Sequence, residues 1–149
     1  MTFGIMNSLA NSVSLHGNDV IVSSTADEGN TAALFNSGRF LQVYRNGFRA
    51  ESGARAACTG VYNNGMYMLF AHNVLRVRGE GSSFGYICRE GSYTRIAHND
   101  IDVCGADGIG IAAPAVKCMV TENKITAQTA LYHVSYGTML RDNVSSSPR

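Results

Sequence analysis

Tryptophan is absent from this 149-residue sequence, proline occurs only twice, and charged residues make up just 15% of it. So little charge excludes a charge-laced helical bundle, while 45% hydrophobic residues and 16 glycines exclude a disordered chain and predict a compact fold. The length suits one domain and is too short for two comfortable ones. No apolar run is long enough to span a bilayer, so no membrane insertion is expected. The start Met1-Thr2-Phe3-Gly4 carries no charged leader with a long apolar core, so no signal peptide is expected in this chain. A net charge of +1 gives no long-range field to hold a nucleic-acid backbone, and polynucleotide partners are not expected. Cys58, Cys88, Cys104 and Cys118 form no CxxC pair and no cysteine/histidine spacing suited to zinc. They read as reduced, packed thiols, and no metal or cofactor is expected. Ten of the twelve basic residues are arginine, whose flat fork suits acidic ligands.

What is present is a repeat. The template Φ-x-x-Asn-x-Φ-x-Φ, with Φ apolar or small, fits at Leu15/Asn18, Val43/Asn46, Phe70/Asn73, Ile96/Asn99 and Val120/Asn123, and a degraded copy follows at Leu140/Asn143. The asparagines lie 28, 27, 26, 24 and 20 residues apart. Gly38, Gly65 and Gly91 each precede their asparagine by eight residues, Ala115 holds that place next, and Gly137 comes six before Asn143. A period in the twenties suits a leucine-rich repeat or a β-solenoid. The Leu-x-x-Leu-x-Leu signature is missing, no helical stripe persists, and apolar residues alternate as in Asn99-Asp100-Ile101-Asp102-Val103, which selects the solenoid.

The expected fold is therefore all-β: a parallel β-solenoid of about six coils, each of three short strands, over residues 15–145. Residues 1–14 are expected to form an N-terminal cap, as a short helix or partial coil, and 146–149 a tail. Stacked in register, Asn18, Asn46, Asn73, Asn99, Asn123 and Asn143 can pass side-chain amide hydrogen bonds along a column. Asparagine also tolerates the left-handed backbone of a tight turn.

With the phrase Ile96-Ala97-His98-Asn99-Asp100-Ile101 followed by Ala106-Asp107-Gly108-Ile109, the ladder resembles the right-handed parallel β-helix, pectate-lyase-like superfamily, which includes polysaccharide lyases, glycoside hydrolases and phage tailspikes. The resemblance covers about residues 12 to 145. Members have many more coils and a capping helix, so the chain resembles a piece of a longer spike or a short oligomeric domain. The resemblance implies a polysaccharide partner, a homo-oligomer of trimeric type, and a place on a virion tail or extracellular surface.

Alternation predicts which side chains point outward. In the strand before the glycine marker, Leu34, Val61, Ile87, Ile111 and Leu131 are expected inside. Phe35, Tyr62, Cys88, Ala112 and Tyr132 follow them one place later, with Tyr86 also facing out and Asn36, Asn63, Arg89 and His133 beside them. Outward aromatics offer sugar rings an apolar surface with polar rims, making Phe35, Tyr62, Tyr86, Arg89, Tyr132 and His133 the expected carbohydrate-binding residues. The alternative is packing against a neighbouring subunit. Arg49, Arg76 and Asp102 form a second column, and Arg45, His72, His98 and Glu122 a third, read as a solvated or interface column without a metal.

A glycosidase needs two carboxylates across the scissile bond, and Asp102 and Asp107 form the best local pair. Lyases of the resembled family commonly use an arginine or lysine base with calcium-bound uronate, for which Arg89 or Arg76 would be the loose analogue. The alternative makes Asp107-Gly108 a turn and Asp102 an ion-pair partner of Arg76. The expected function is a carbohydrate-engaging segment of a tailspike-like protein that binds, and with a competent carboxylate pair depolymerises, a surface polysaccharide. The alternatives are a structural oligomeric fibre segment and a small polysaccharide lyase or glycoside hydrolase.

Overall fold

The computed structural model describes residues 2–25, 29–53 and 56–148. Eighteen strands and no helix occur among them. They run in triplets, each triplet one rung. The first three rungs are β1 (Thr2–Asn7), β2 (Ser14–His16), β3 (Asp19–Ser24); β4 (Asn30–Asn36), β5 (Gln42–Tyr44), β6 (Gly47–Ser52); and β7 (Ala57–Asn63), β8 (Leu69–Ala71), β9 (Val74–Gly79). The remaining rungs are β10 (Ser82–Cys88), β11 (Arg95–Ala97), β12 (Asp100–Cys104); β13 (Asp107–Ala112), β14 (Met119–Thr121), β15 (Lys124–Thr126); and β16 (Thr129–Tyr132), β17 (Met139–Arg141), β18 (Val144–Ser146). Strands at equivalent places pair in parallel, giving three six-stranded sheets. The chain is a parallel β-helix. Residues 2–7 supply a strand of the first rung, paired with β4, so the helical alternative for the cap does not hold.

The core is built from the inward residues of all three sheets. On sheet 1 (β1, β4, β7, β10, β13, β16) the column Ala33, Gly60, Gly85, Gly110 is small because branched side chains of sheet 3 press against it: a Cβ at Gly60 would meet Leu75, at Gly85 Ile101, and at Gly110 Ile125. Leu75, Ile101 and Ile125 are fully buried. Large and small residues thus alternate across the interior, which is how cores reach close packing without strain.

The asparagine ladder follows the expected line, and its bonding shows what it does. Each Oδ1 accepts both the backbone N–H and the side-chain Nδ2–H of the asparagine one rung earlier. Asn46 Oδ1 takes Asn18 N and Nδ2, each at 2.9 Å. Asn73 Oδ1 takes Asn46 at 2.9 and 3.2 Å, and Asn99 takes Asn73 at 2.9 and 3.1 Å. Asn123 and Asn143 continue the series. Asn46, Asn73, Asn99 and Asn123 are buried, so the side chains satisfy backbone donors that the corner would otherwise orphan.

The left-handed residue at this corner is not the asparagine. It is the residue before it: Arg45, His72, His98, Glu122 and Asp142 all have φ between 51° and 55°, and Gly17 takes the first place at 66°. A second left-handed column, Ser12, Phe40, Tyr67, Tyr93 and Lys117, turns the other corner of sheet 2 (β2, β5, β8, β11, β14, β17) at φ 56–59°.

A second asparagine column, absent from the sequence reading, stands at that other corner. Asn7 Nδ2 donates to Asn36 Oδ1 at 2.8 Å, Asn36 to Asn63 at 2.7 Å, and Asn63 to Thr94 Oγ1 at 3.1 Å. Asn36 and Asn63, expected to face solvent, are fully buried. This column explains the glycine marker. A Cβ on Gly38, Gly65 or Gly91 would run into a carbonyl oxygen of the preceding rung and into the amide of Asn7, Asn36 or Asn63 respectively. Where the preceding rung carries Cys88 in place of asparagine, the marker becomes Ala115, whose N–H bonds Cys88 O at 3.2 Å.

Candidate functional site

The expected carbohydrate face lies on the outside of sheet 1, with one register correction. Leu34, Val61, Tyr86 and Ile111 pair across β4, β7, β10 and β13, so Tyr86 points inward and Ile87 outward. Tyr86 is fully buried, its hydroxyl donating to Met68 Sδ at 3.1 Å, and burial raises its phenol well above the usual range. It cannot meet a sugar from this position. The cause is one extra residue after β10: Arg89-Glu90 separates Cys88 from Gly91, where Ser37 alone separates Asn36 from Gly38 and Asn64 separates Asn63 from Gly65. A one-residue slip turns every side chain of a strand to the other face. Cys88 is accordingly inside, in the column of Asn36 and Asn63.

Phe35 and Tyr62 remain on the outer face, stacked with centroids 5.8 Å apart, and Phe3 leans on Phe35 at 5.2 Å. Arg89 Nη1 donates to the Tyr62 hydroxyl at 3.0 Å, so the guanidinium rims this cluster. Farther along, Ile87 and Ala112 interrupt the stripe before Tyr132, which is half exposed and packs on His133 at 5.0 Å. The structure brings Phe35, Tyr62 and Arg89 together. It sets Tyr132 and His133 apart from them.

The neighbouring corner carries a more regular aromatic line that the sequence reading missed. Phe40 stacks on Tyr67 at 4.9 Å with rings 8° from parallel, and Tyr67 stacks on Tyr93 at 5.1 Å and 13°. Lys117 closes the line with its ammonium 4.9 Å from the Tyr93 centroid and 2.9 Å from the Tyr93 hydroxyl, which accepts its hydrogen bond. That bond raises the lysine above its ordinary range. Phe40, Tyr67 and Tyr93 are 52%, 41% and 45% exposed as residues. All four residues are left-handed, which costs a side-chain-bearing residue about 1–2 kcal/mol each, so the line is held against local preference by stacking and by bonds such as Phe40 N to Met66 O at 3.1 Å. The signal was available: Phe40, Tyr67, Tyr93 and Lys117 each stand six residues before a ladder asparagine.

The column before the ladder is a charged and aromatic edge. His72 and His98 stack at 4.7 Å, and His98 Nδ1 lies 3.0 Å from Glu122 Oε2. Tyr44 meets His72 edge-on, with Arg45 over the Tyr44 ring. Partial desolvation, then the charges of His98 and Arg45, hold His72 below the ordinary histidine range. No group of three or more metal-ligating side chains occurs among the described residues.

Asp102 lies on the outer face of sheet 3 (β3, β6, β9, β12, β15, β18), in register with Arg76 and Thr126, and Asp107 opens β13 at an exposed position. Arg76 does not pair with Asp102. Its Nη2 meets Asp100 Oδ2 at 2.7 Å, and Lys124 approaches the same carboxylate at 3.9 Å. A concavity of about 510 Å³ where sheet 3 turns into sheet 1 is lined by another carboxylate pair, Glu51 and Glu80, with Arg78 and Cys104. Neither Asp102 nor Asp107 lines it. Beside Arg76, a smaller groove of about 310 Å³ includes Asp19, Ile21 and Arg49.

Compared with protein-family models, curated proteins and solved structures, the chain matches none.

Proposed function

We propose that this β-helix is a carbohydrate-engaging segment of a tailspike-like surface protein, binding a polysaccharide along its aromatic side. The reading rests on one observation above all: Phe40, Tyr67 and Tyr93 form a half-exposed line parallel to the stacking direction, ended by the Lys117 ammonium. Phe35, Tyr62 and Arg89 add a second aromatic cluster on sheet 1. Aromatic rings with polar rims suit sugars, which carry apolar ring faces and hydroxyl edges. A line repeating at the strand spacing of about 4.8 Å suits a polymer better than an isolated monosaccharide.

The test is a polysaccharide panel read for binding and for new reducing ends or unsaturated uronate. Removing the Tyr67 or Tyr93 ring should weaken binding roughly tenfold or more, about 1.4 kcal/mol each, with the fold retained. Unchanged affinity in both Tyr67→Ala and Tyr93→Ala rejects the aromatic line. Depolymerisation, if product forms, assigns the acid and base by loss of rate in Asp102→Asn or Asp107→Asn, against Glu51→Gln and Glu80→Gln in the larger concavity.

A second reading, a structural segment of an oligomeric and trimeric fibre, is favoured by the stacking itself. The rings stack face to face at 4.9 and 5.1 Å, so each neighbour covers a ring face that a sugar would otherwise use. Absence of binding across the panel, with a trimer in sedimentation, selects it.

A further inference from the structure

Two of the four thiols meet inside the β-helix. Cys88 Sγ and Cys118 Sγ are 3.6 Å apart, on consecutive rungs, and both residues are buried. Cys88 ends β10 in the column of Asn7, Asn36 and Asn63, while Cys118 stands directly after the left-handed Lys117, in the column that holds Thr94 one rung earlier. The pair lies where the second asparagine column stops: Asn63 Nδ2 reaches Thr94 Oγ1 at 3.1 Å and Cys88 Sγ at 3.8 Å, and beyond Cys88 no further asparagine follows. Sulfur thus takes over the corner that amides occupy in the first three rungs.

We propose that Cys88 and Cys118 are an oxidation site, closing to a disulfide that covalently joins consecutive rungs at the end of the second asparagine column. The thiols are already in contact, and side-chain rotation must bring the sulfurs to about 2.04 Å. The co-reactant is a hydroperoxide. The thiolate of one cysteine attacks a peroxide oxygen, the O–O bond breaks, and hydroxide leaves and takes up a proton as water, giving a sulfenic acid. The other sulfur then attacks the sulfenic sulfur, the S–O bond breaks, a second water leaves with the thiol proton, and the S–S bond forms. Two thiols and one hydrogen peroxide become one disulfide and two waters. Either thiol can take the first step, because the two share one contact; Cys88 Sγ also lies 2.9 Å from Gly91 O, and Cys118 Sγ 3.6 Å from Ala115 O. A disulfide closing this corner removes freedom from the unfolded chain and ties the C-terminal rungs to the middle of the β-helix.

The test uses the full chain, because trypsin places each cysteine on its own peptide: Cys58 on 56–76, Cys88 on 79–89, Cys104 on 96–117 and Cys118 on 118–124. The folded protein is treated with hydrogen peroxide, remaining thiols are blocked, and the digest is mapped without reduction. The expected result is an intact mass lower by two hydrogens before blocking and a predominant cross-link between peptides 79–89 and 118–124, reversed by dithiothreitol. Full oxidation in denaturant is the reference, where random pairing yields this link in about one connectivity in three. Cys88→Ala and Cys118→Ala should each remove the link, and in each variant the remaining thiol of the pair should be the one that dimedone traps as sulfenic acid. A native-state link no more frequent than in the denatured reference, predominant links through Cys58 or Cys104, or no link at all with both thiols recovered would each overturn the proposal.

Discussion

Replacing Asn73 by alanine isolates the ladder from the rest of the core. Its side chain makes four hydrogen bonds: it accepts from Asn46 N at 2.9 Å and Asn46 Nδ2 at 3.2 Å, and donates to Val43 O at 3.0 Å and Asn99 Oδ1 at 3.1 Å. Asn46 Nδ2 keeps Leu15 O and Tyr44 O, and Asn99 Oδ1 keeps the backbone N–H of residue 73. The Asn46 backbone N–H loses its partner at a buried position. Stranding that donor costs about 1–3 kcal/mol, and the net worth of the other lost bonds adds about 1 kcal/mol, for a total of about 3 kcal/mol. Asn18→Ala is the matched control. Asn18 is exposed, accepts no bond from a preceding rung, and loses only its donations to His16 O and Asn46 Oδ1, so its cost should stay below about 1 kcal/mol. Equilibrium urea unfolding followed by circular dichroism measures both, with the slope checked because solenoids can unfold in more than one step. Equal costs for the two variants would refute the reasoning.

Gly65→Ala should destabilise by about 1–3 kcal/mol in the same assay, since its methyl overlaps Gly38 O and the Asn36 amide, while Ala115→Gly should cost less than about 1 kcal/mol. Equal effects would remove the second asparagine column as the reason for the marker. At the left-handed Tyr67, glycine relieves the backbone that alanine leaves strained, so Tyr67→Gly should be more stable than Tyr67→Ala by about 1 kcal/mol; the reverse order would contradict the left-handed corner. His72 should titrate below 6.5 by NMR, and Arg45→Gln should move it upward. Because its native pKa is depressed, the neutral ring is favoured by folding: the contribution is present above the unfolded value and is lost as pH falls through the native one. A midpoint at or above 6.5 would contradict the stacked arrangement.

What was legible in the sequence is the part of each rung whose length does not vary. The two left-handed columns lie five residues apart in every rung, from Ser12 and Gly17 to Lys117 and Glu122, because sheet 2 strands always have three residues. The glycine marker and the asparagine therefore stay in phase, and ladder and fold class could be read directly. The shrinking period arises elsewhere. Going from sheet 3 to sheet 1, β4 starts six residues after β3 ends, β7 five after β6 ends and β10 three after β9 ends. In the 26-residue step from Asn73 to Asn99, two residues lost there are partly offset by the one added at Arg89-Glu90, so the spacing conceals the insertion that moves Tyr86 inside. Counting back from Gly91 therefore placed Ile87 in the core; aligning Gly60, Gly85 and Gly110 as one small-residue column finds the true register. Asn36 and Asn63 were unreadable as core residues because burial of a polar amide depends on its partner one rung away, which alternation along a single strand does not encode. The Phe40, Tyr67 and Tyr93 line was hidden differently. It sits in turns, where an alternation rule assigns no face.

The most direct measurement is a nuclear Overhauser spectrum of the ¹⁵N-labelled chain, read at the asparagine side-chain amides. The account predicts an unbroken series of contacts between the Nδ2 protons of Asn18, Asn46, Asn73, Asn99, Asn123 and Asn143, each with the next, together with slow exchange of the backbone N–H at 46, 73 and 99. Amides that show no contact with their counterpart in the next rung, or that exchange as fast as the exposed Ser147, would contradict it.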